Sequence, residues 1–140
     1  MRAEILDPAR RLTWLTTYVR QRIPLEPLVL RVADVMCALP DEVLCDLLED
    51  PNFHLALENH RPGIGNQVFF SVSAGPWTGS RSVVLRRRLA DSPVEFALYV
   101  IAHEFAHAHL RNGGHGPITD PEHAADTLAS HWGFSRPGWF

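Results

Sequence analysis

Cysteine is scarce in this chain: its 140 residues contain two, Cys37 and Cys45, and no Cys-x-x-Cys. A disulfide scaffold is therefore not expected, and two buried thiols in a reducing, cytoplasmic setting are. Long apolar runs are also missing, so no segment reads as a membrane span. At the N-terminus, Arg2, Glu4, Asp7, Arg10 and Arg11 interrupt any apolar stretch of the signal-peptide kind. Charge of one sign is lacking too. The net charge of -3 gives no reason to expect a nucleic-acid or anionic-membrane partner. The single basic run, Arg86-Arg87-Arg88, is expected at an exposed strand end. Neither an internal repeat nor a low-complexity segment is present.

What is there is an ordinary globular composition, 46% hydrophobic and 21% charged, long enough for one domain spanning 1–140 with a core of its own. Helical spacing of Leu12, Leu15, Tyr18 and Val19 predicts a helix over 8–22, ended by Pro24. Leu28, Val32, Val35, Met36 and Leu39 predict a second over 27–38. Val43, Leu44, Leu47 and Leu48 predict a third over 41–49, stopped by Asp50-Pro51. The period then changes to two. Phe53, Leu55 and Leu57 mark one strand, 67–73 a second and 81–89 a third, the last two forming a hairpin. Ser92 as N-cap, Pro93 and Glu95 then read as the start of a helix running to about Arg111, with Asn112-Gly113-Gly114 as its stop. A last helix runs from Asp120-Pro121 to near Gly133. The expected fold class is α+β: N-terminal helices, a small three-stranded sheet and two closing helices.

Histidine is over-represented late in the chain. Six of the eight histidines follow residue 100, and two form His103-Glu104-Phe105-Ala106-His107. Residues four apart in a helix lie about 40° apart around its axis, so both imidazoles can reach one metal ion. Glu104, rotated by about 100° from His103, is poorly placed as a ligand and well placed to reach a metal-bound water. The flanking residues are apolar nearly all round the helix, so it must be buried. Buried imidazoles and a buried carboxylate need partners, and a metal supplies them.

A catalytic zinc takes three protein ligands and leaves a position open. Glu122, His123, Asp126 and His115 compete for the third. Glu122 and Asp126 share a helix face with the small residues Ala125 and Ala129, which allow close approach to the first helix. Glu122 in the first turn is the favoured ligand. Asp126, one turn on, is expected to accept a hydrogen bond from the outer nitrogen of a ligand histidine. His115, in a Gly-Gly-His-Gly loop, is a candidate oxyanion stabiliser. Tyr99 reads as a core tyrosine, His109 as structural, and Trp77, Trp132 and Trp139 as packing residues. Leu110 and Gly113 stand where a metzincin needs its glycine and third histidine.

His103-Glu104-x-x-His107 followed by Glu122-x-x-x-Asp126 resembles the gluzincin pattern of zinc peptidases. The run Ser82-Val83-Val84-Leu85 before the helix, and Glu122-His123-Ala124-Ala125-Asp126-Thr127-Leu128-Ala129 after it, resemble the ImmA/IrrE-type metallopeptidases over about residues 81–133. That resemblance implies a zincin-like core and a peptide or protein substrate, hydrolysed with zinc on His103, His107 and Glu122 and with Glu104 as general base. It also implies a substrate strand aligned along residues 81–85. The alternative is a non-catalytic zinc-binding regulatory or interaction module, for which an intact Glu104 would have no use. Both predict about one zinc per chain. Elemental analysis of purified, zinc-reconstituted protein checks this, and metal-free protein would exclude both.

Overall fold

The computed structural model describes residues 1–58 and 81–139. The expected strand over 67–73, the hairpin it was to form and Trp77 lie outside the described residues. Four helices open the chain: α1 (Arg2–Ile5), α2 (Pro8–Arg20), α3 (Glu26–Ala38) and α4 (Asp41–Leu48). Two strands follow, β1 (His54–Leu57) and β2 (Ser82–Leu85), then a 3-10 turn (Arg87–Ala90). Helices α5 (Val94–His109) and α6 (Pro121–His131) close it. The architecture is mixed α and β, as expected. Among the described residues the sheet has two strands, paired in parallel with Leu55 opposite Val83 and Leu57 opposite Leu85. All four of those side chains are buried, so one face of the pair seals the core, as their alternation requires.

One apolar cluster joins both ends of the chain, from Ile5, Leu15 and Val19 through Leu28, Val32 and Met36 to Ile101, Phe105 and Ala129. α5 is its axis, packing against α3, α4, β2 and α6. The third expected strand is shorter than 81–89. It ends at Leu85, and the exposed Arg86-Arg87-Arg88 run leads into the 3-10 turn. Cys45 is buried, whereas Cys37 is half-buried; both are free thiols.

The α2 stripe differs from expectation by one residue. Leu12 is 46% exposed, and Arg11 takes the inward position one turn before Leu15. Its guanidinium replaces an apolar contact with polar ones. Nη1 donates to the Ile5 carbonyl at 2.9 Å and lies 2.6 Å from Asp41 Oδ1. Nε donates to the Cys37 carbonyl at 3.1 Å, and Nη2 to the Leu39 carbonyl. Arg11 thus ties together the ends of α1 and α3 and the start of α4, satisfying carbonyls that helix termini leave open.

The start of α5 also departs from the expected capping box. Pro93 is the N-cap residue and makes no side-chain cap. The Ser92 hydroxyl instead donates back to the Arg88 carbonyl at 2.7 Å, closing the 3-10 turn. At the other end the helix stops before the glycines. Arg111 and Asn112 adopt positive φ, 54° and 58°. Arg111 N–H bonds the Ala108 carbonyl and Asn112 N–H bonds the His107 carbonyl, the double closure of a Schellman motif. Gly114 is needed for a different reason, since a Cβ there would stand 2.4 Å from the Ile118 carbonyl oxygen.

Replacing Arg11 by Ala removes the three donor nitrogens that serve the Ile5, Cys37 and Leu39 carbonyls and the Asp41 carboxylate, and the loss is expected to destabilise the fold by about 3 kcal/mol. Urea denaturation of wild type and Arg11→Ala measures it; a change within about 0.5 kcal/mol, the surface-substitution range, would show that Arg11 is dispensable.

Candidate metal centre

α5 and α6 meet through small side chains. Ala102 and Ala106 on α5, and Ala124, Ala125 and Ala129 on α6, are all completely buried. The two helices pack on each other, and side chains this small suit a close approach that brings polar groups on the adjoining faces within reach. Asp120 caps α6, its carboxylate accepting the His123 N–H at 2.9 Å, with Pro121 in the first turn. That start holds Glu122 over the face of α5 carrying both imidazoles.

The Glu122 carboxylate lies between the two rings. Its Oε1 is 3.1 Å from His103 Nε2, and its Oε2 is 3.0 Å from His107 Nε2. One ligand atom from each of His103, His107 and Glu122 falls within 4.8 Å of the others. Bonds of about 2.0–2.2 Å to a tetrahedral zinc hold neighbouring ligand atoms about 3.3 Å apart. The nitrogen–oxygen separations match that figure, and two imidazoles with one carboxylate suit zinc chemically. The three side chains could thus hold a metal ion. Both histidines are largely buried, while the Glu122 side chain is 73% exposed, so the cluster opens to solvent on the α6 side.

The outer nitrogens are treated unequally. His103 Nδ1 is 2.7 Å from Asp126 Oδ1, the bond expected for the supporting aspartate. Among the described residues, His107 Nδ1 is buried with no hydrogen-bond partner. The Asp126 carboxyl is held below the ordinary aspartate value. Desolvation acts to raise it, and the Tyr99 hydrogen bond together with His103 and Arg136 outweighs that. Glu104 behaves oppositely. Burial pushes its carboxyl above the ordinary glutamate value, with His107 and His103 opposing the rise and Glu122 adding to it.

The remaining candidates are placed as follows. His115 is exposed in a tight turn, its backbone N–H and carbonyl paired with Ile118, and it supplies no atom to the cluster. His123 is exposed. His109 lies 2.8 Å from Asp46 Oδ2 on α4, a structural partner away from the other two rings. Trp132 packs against the core, whereas Trp139 is 62% exposed, against the expectation of packing, with its ring 6.2 Å from Phe96. Two participants carry no motif in the sequence. The Tyr99 hydroxyl donates to Asp126 Oδ1 at 2.6 Å. Arg136 reaches Asp126 Oδ2 at 3.8 Å and the Tyr99 hydroxyl at 3.4 Å. The spacing of Tyr99, one turn before His103, places it on the same face but not against Asp126; Arg136, beyond the last helix, carries no signal at all.

No family model, curated protein or solved structure matches the chain.

The arrangement sets graded demands on metal affinity. Glu122→Ala is expected to abolish most zinc binding, and Asp126→Ala to weaken it roughly 10–100-fold, while His115→Ala leaves it unchanged. Competition titration with a chromophoric chelator separates the three. Wild-type affinity in Glu122→Ala would remove the glutamate from the ligand set.

Proposed function

We propose that the chain is a zinc-dependent metallopeptidase of zincin-like construction, hydrolysing peptide bonds in a peptide or protein substrate. The observation that carries this reading is the convergence of His103 Nε2 and His107 Nε2 on the Glu122 carboxylate, with Glu104 partly buried next to them. A structural zinc site closes its coordination with four protein ligands. Here three side chains converge among the described residues and the cluster opens to solvent, which suits a site that must admit water and substrate.

Zinc held by His103, His107 and Glu122 would acidify a water molecule and polarise the scissile carbonyl. The protein's own chemistry centres on Glu104. Its carboxylate takes the proton from the attacking water and delivers it to the departing amine. Burial raises its proton affinity, which favours a group that must accept a proton and then hold it briefly. His103 is kept in one orientation by Asp126, so its inner nitrogen faces the cluster. The strand β2 packs on α5 and pairs with β1 along one edge. Its other edge is where a substrate strand would be added.

Glu104→Gln preserves size and hydrogen bonding and deletes the base. Zinc content is expected to remain at the wild-type level, while cleavage of an unstructured protein substrate falls roughly 10²–10⁴-fold. Metal analysis and a cleavage assay run on the same preparations decide it. Equal cleavage rates would refute the role of Glu104, and zinc binding with no cleavage by wild type of any tested peptide would favour a regulatory zinc module.

A further inference from the structure

The support behind His103 does not end at Asp126. Asp126 Oδ1 accepts two hydrogen bonds, from His103 Nδ1 at 2.7 Å and from the Tyr99 hydroxyl at 2.6 Å. Both donors project from α5, four residues apart and hence on one face, whereas Asp126 stands on α6. The Tyr99 ring also lies beside the imidazole it supports, with centroids 5.8 Å apart.

An aspartate holding a histidine by one bond retains freedom. Its carboxylate can rotate to exchange oxygens, and the Asp126 side chain is 35% exposed, so water competes for it. A second donor to the same oxygen removes that freedom. Tyr99 is 5% exposed, so the buried ring holds its hydroxyl in place as a donor. On the outer side, Arg136 Nε donates to the Tyr99 oxygen at 3.4 Å while Nη2 stands 3.8 Å from Asp126 Oδ2. The hydrogen bonds therefore run in one direction, from Arg136 to Tyr99 to Asp126, each polarising the next. The other imidazole has no such help among the described residues, where His107 Nδ1 has no hydrogen-bond partner. Orientation of the histidine pair by hydrogen bonding thus falls on the His103 side.

We propose that Tyr99 is a positioning residue for the metal site: it locks Asp126 Oδ1 against His103 Nδ1, with Arg136 as the weaker outer member of the same clasp. The inference rests on the metal-site reading above and extends it to a residue whose sequence context suggests only core packing. Tyr99 touches neither metal nor substrate; it acts through Asp126.

The test is a zinc competition titration on the full-length chain in a double-mutant cycle. Tyr99→Phe keeps the ring and deletes the hydroxyl. It is expected to weaken zinc binding roughly tenfold, the lower end of the range for groups that orient ligands. Arg136→Gln, at an exposed position, is expected to weaken it roughly two- to fivefold. On an Asp126→Ala background both losses should vanish, because the group they act through is gone. A purely structural role for Tyr99 would lower affinity by the same factor on both backgrounds, and that result overturns the proposal. So does wild-type affinity in Tyr99→Phe. Should Tyr99→Phe fail to fold, judged by thermal unfolding of the metal-free chain, the Arg136→Gln pair decides alone, by the same criterion. A wild-type chain that binds no zinc overturns the metal reading itself, a result distinct from a zinc-binding wild type whose Tyr99→Phe variant is unaffected.

Discussion

The constraint on which the structure turns is the burial of a helix that cannot be wholly apolar. α5 touches α3, α4, β2 and α6, and most of its surface is taken up by Ala97, Ile101, Ala102, Phe105, Ala106 and Ala108. Within that surface sit two imidazoles and a carboxylate. Burying such groups unpaired costs several kcal/mol each on the usual scale, so the fold must bring partners to them from another element. α6 does so for the two imidazoles, through Glu122 and Asp126, and the small side chains on its buried face suit a close approach.

The same constraint explains the asymmetry between the two histidines. His103 lies where α6 runs alongside α5, so its inner nitrogen faces Glu122 and its outer nitrogen faces Asp126, two residues one turn apart on the same helix. His107 lies one turn closer to the end of α5. Glu122 is the α6 residue that reaches it, and among the described residues its outer nitrogen has no acceptor. Just beyond, the chain reverses through Arg111 and Asn112 with positive φ. His107 contributes its carbonyl to that reversal, tying ring and backbone of one residue to site and helix stop respectively.

Further from the site, charged side chains do structural work inside the fold. Arg11 ties three helix ends together from a buried position. Arg81, at the entrance to β2, is 5% exposed and pairs with Asp46 at 2.9 Å; His109 meets the same Asp46 at 2.8 Å. Asp46 thereby links α4, the strand entrance and the end of α5. Its carboxyl is held below the ordinary value because the bonds and charges of His109 and Arg81 outweigh desolvation. Since that value lies below the unfolded one, near 3.9, the contribution is complete above about pH 4 and is lost as pH falls through the lower folded value.

The sequence by itself determined the elements whose signals are local. Periodicity marked α3 and α4, alternation marked β1, and Asp120-Pro121 marked the start of α6, because each depends on neighbours within a few residues. The spacing of His103, Glu104 and His107 was equally legible, since helix geometry alone puts the two rings on one face. Tertiary structure decided what depends on distant partners. Arg11 rather than Leu12 faces inward because carbonyls from Ile5, Cys37 and Leu39 converge on it. The parallel pairing of β1 with β2 joins segments far apart in the chain, which no local pattern encodes. Glu122 was the favoured ligand from its place in the first turn of its helix, but only the packing of α6 on α5 brings its carboxylate to about 3 Å from both imidazoles. Tyr99 read as a core residue until the fold placed Asp126 against both it and His103, and Arg136 enters only through the same tertiary contact. A hydrogen bond across two helices leaves no periodic trace in either one.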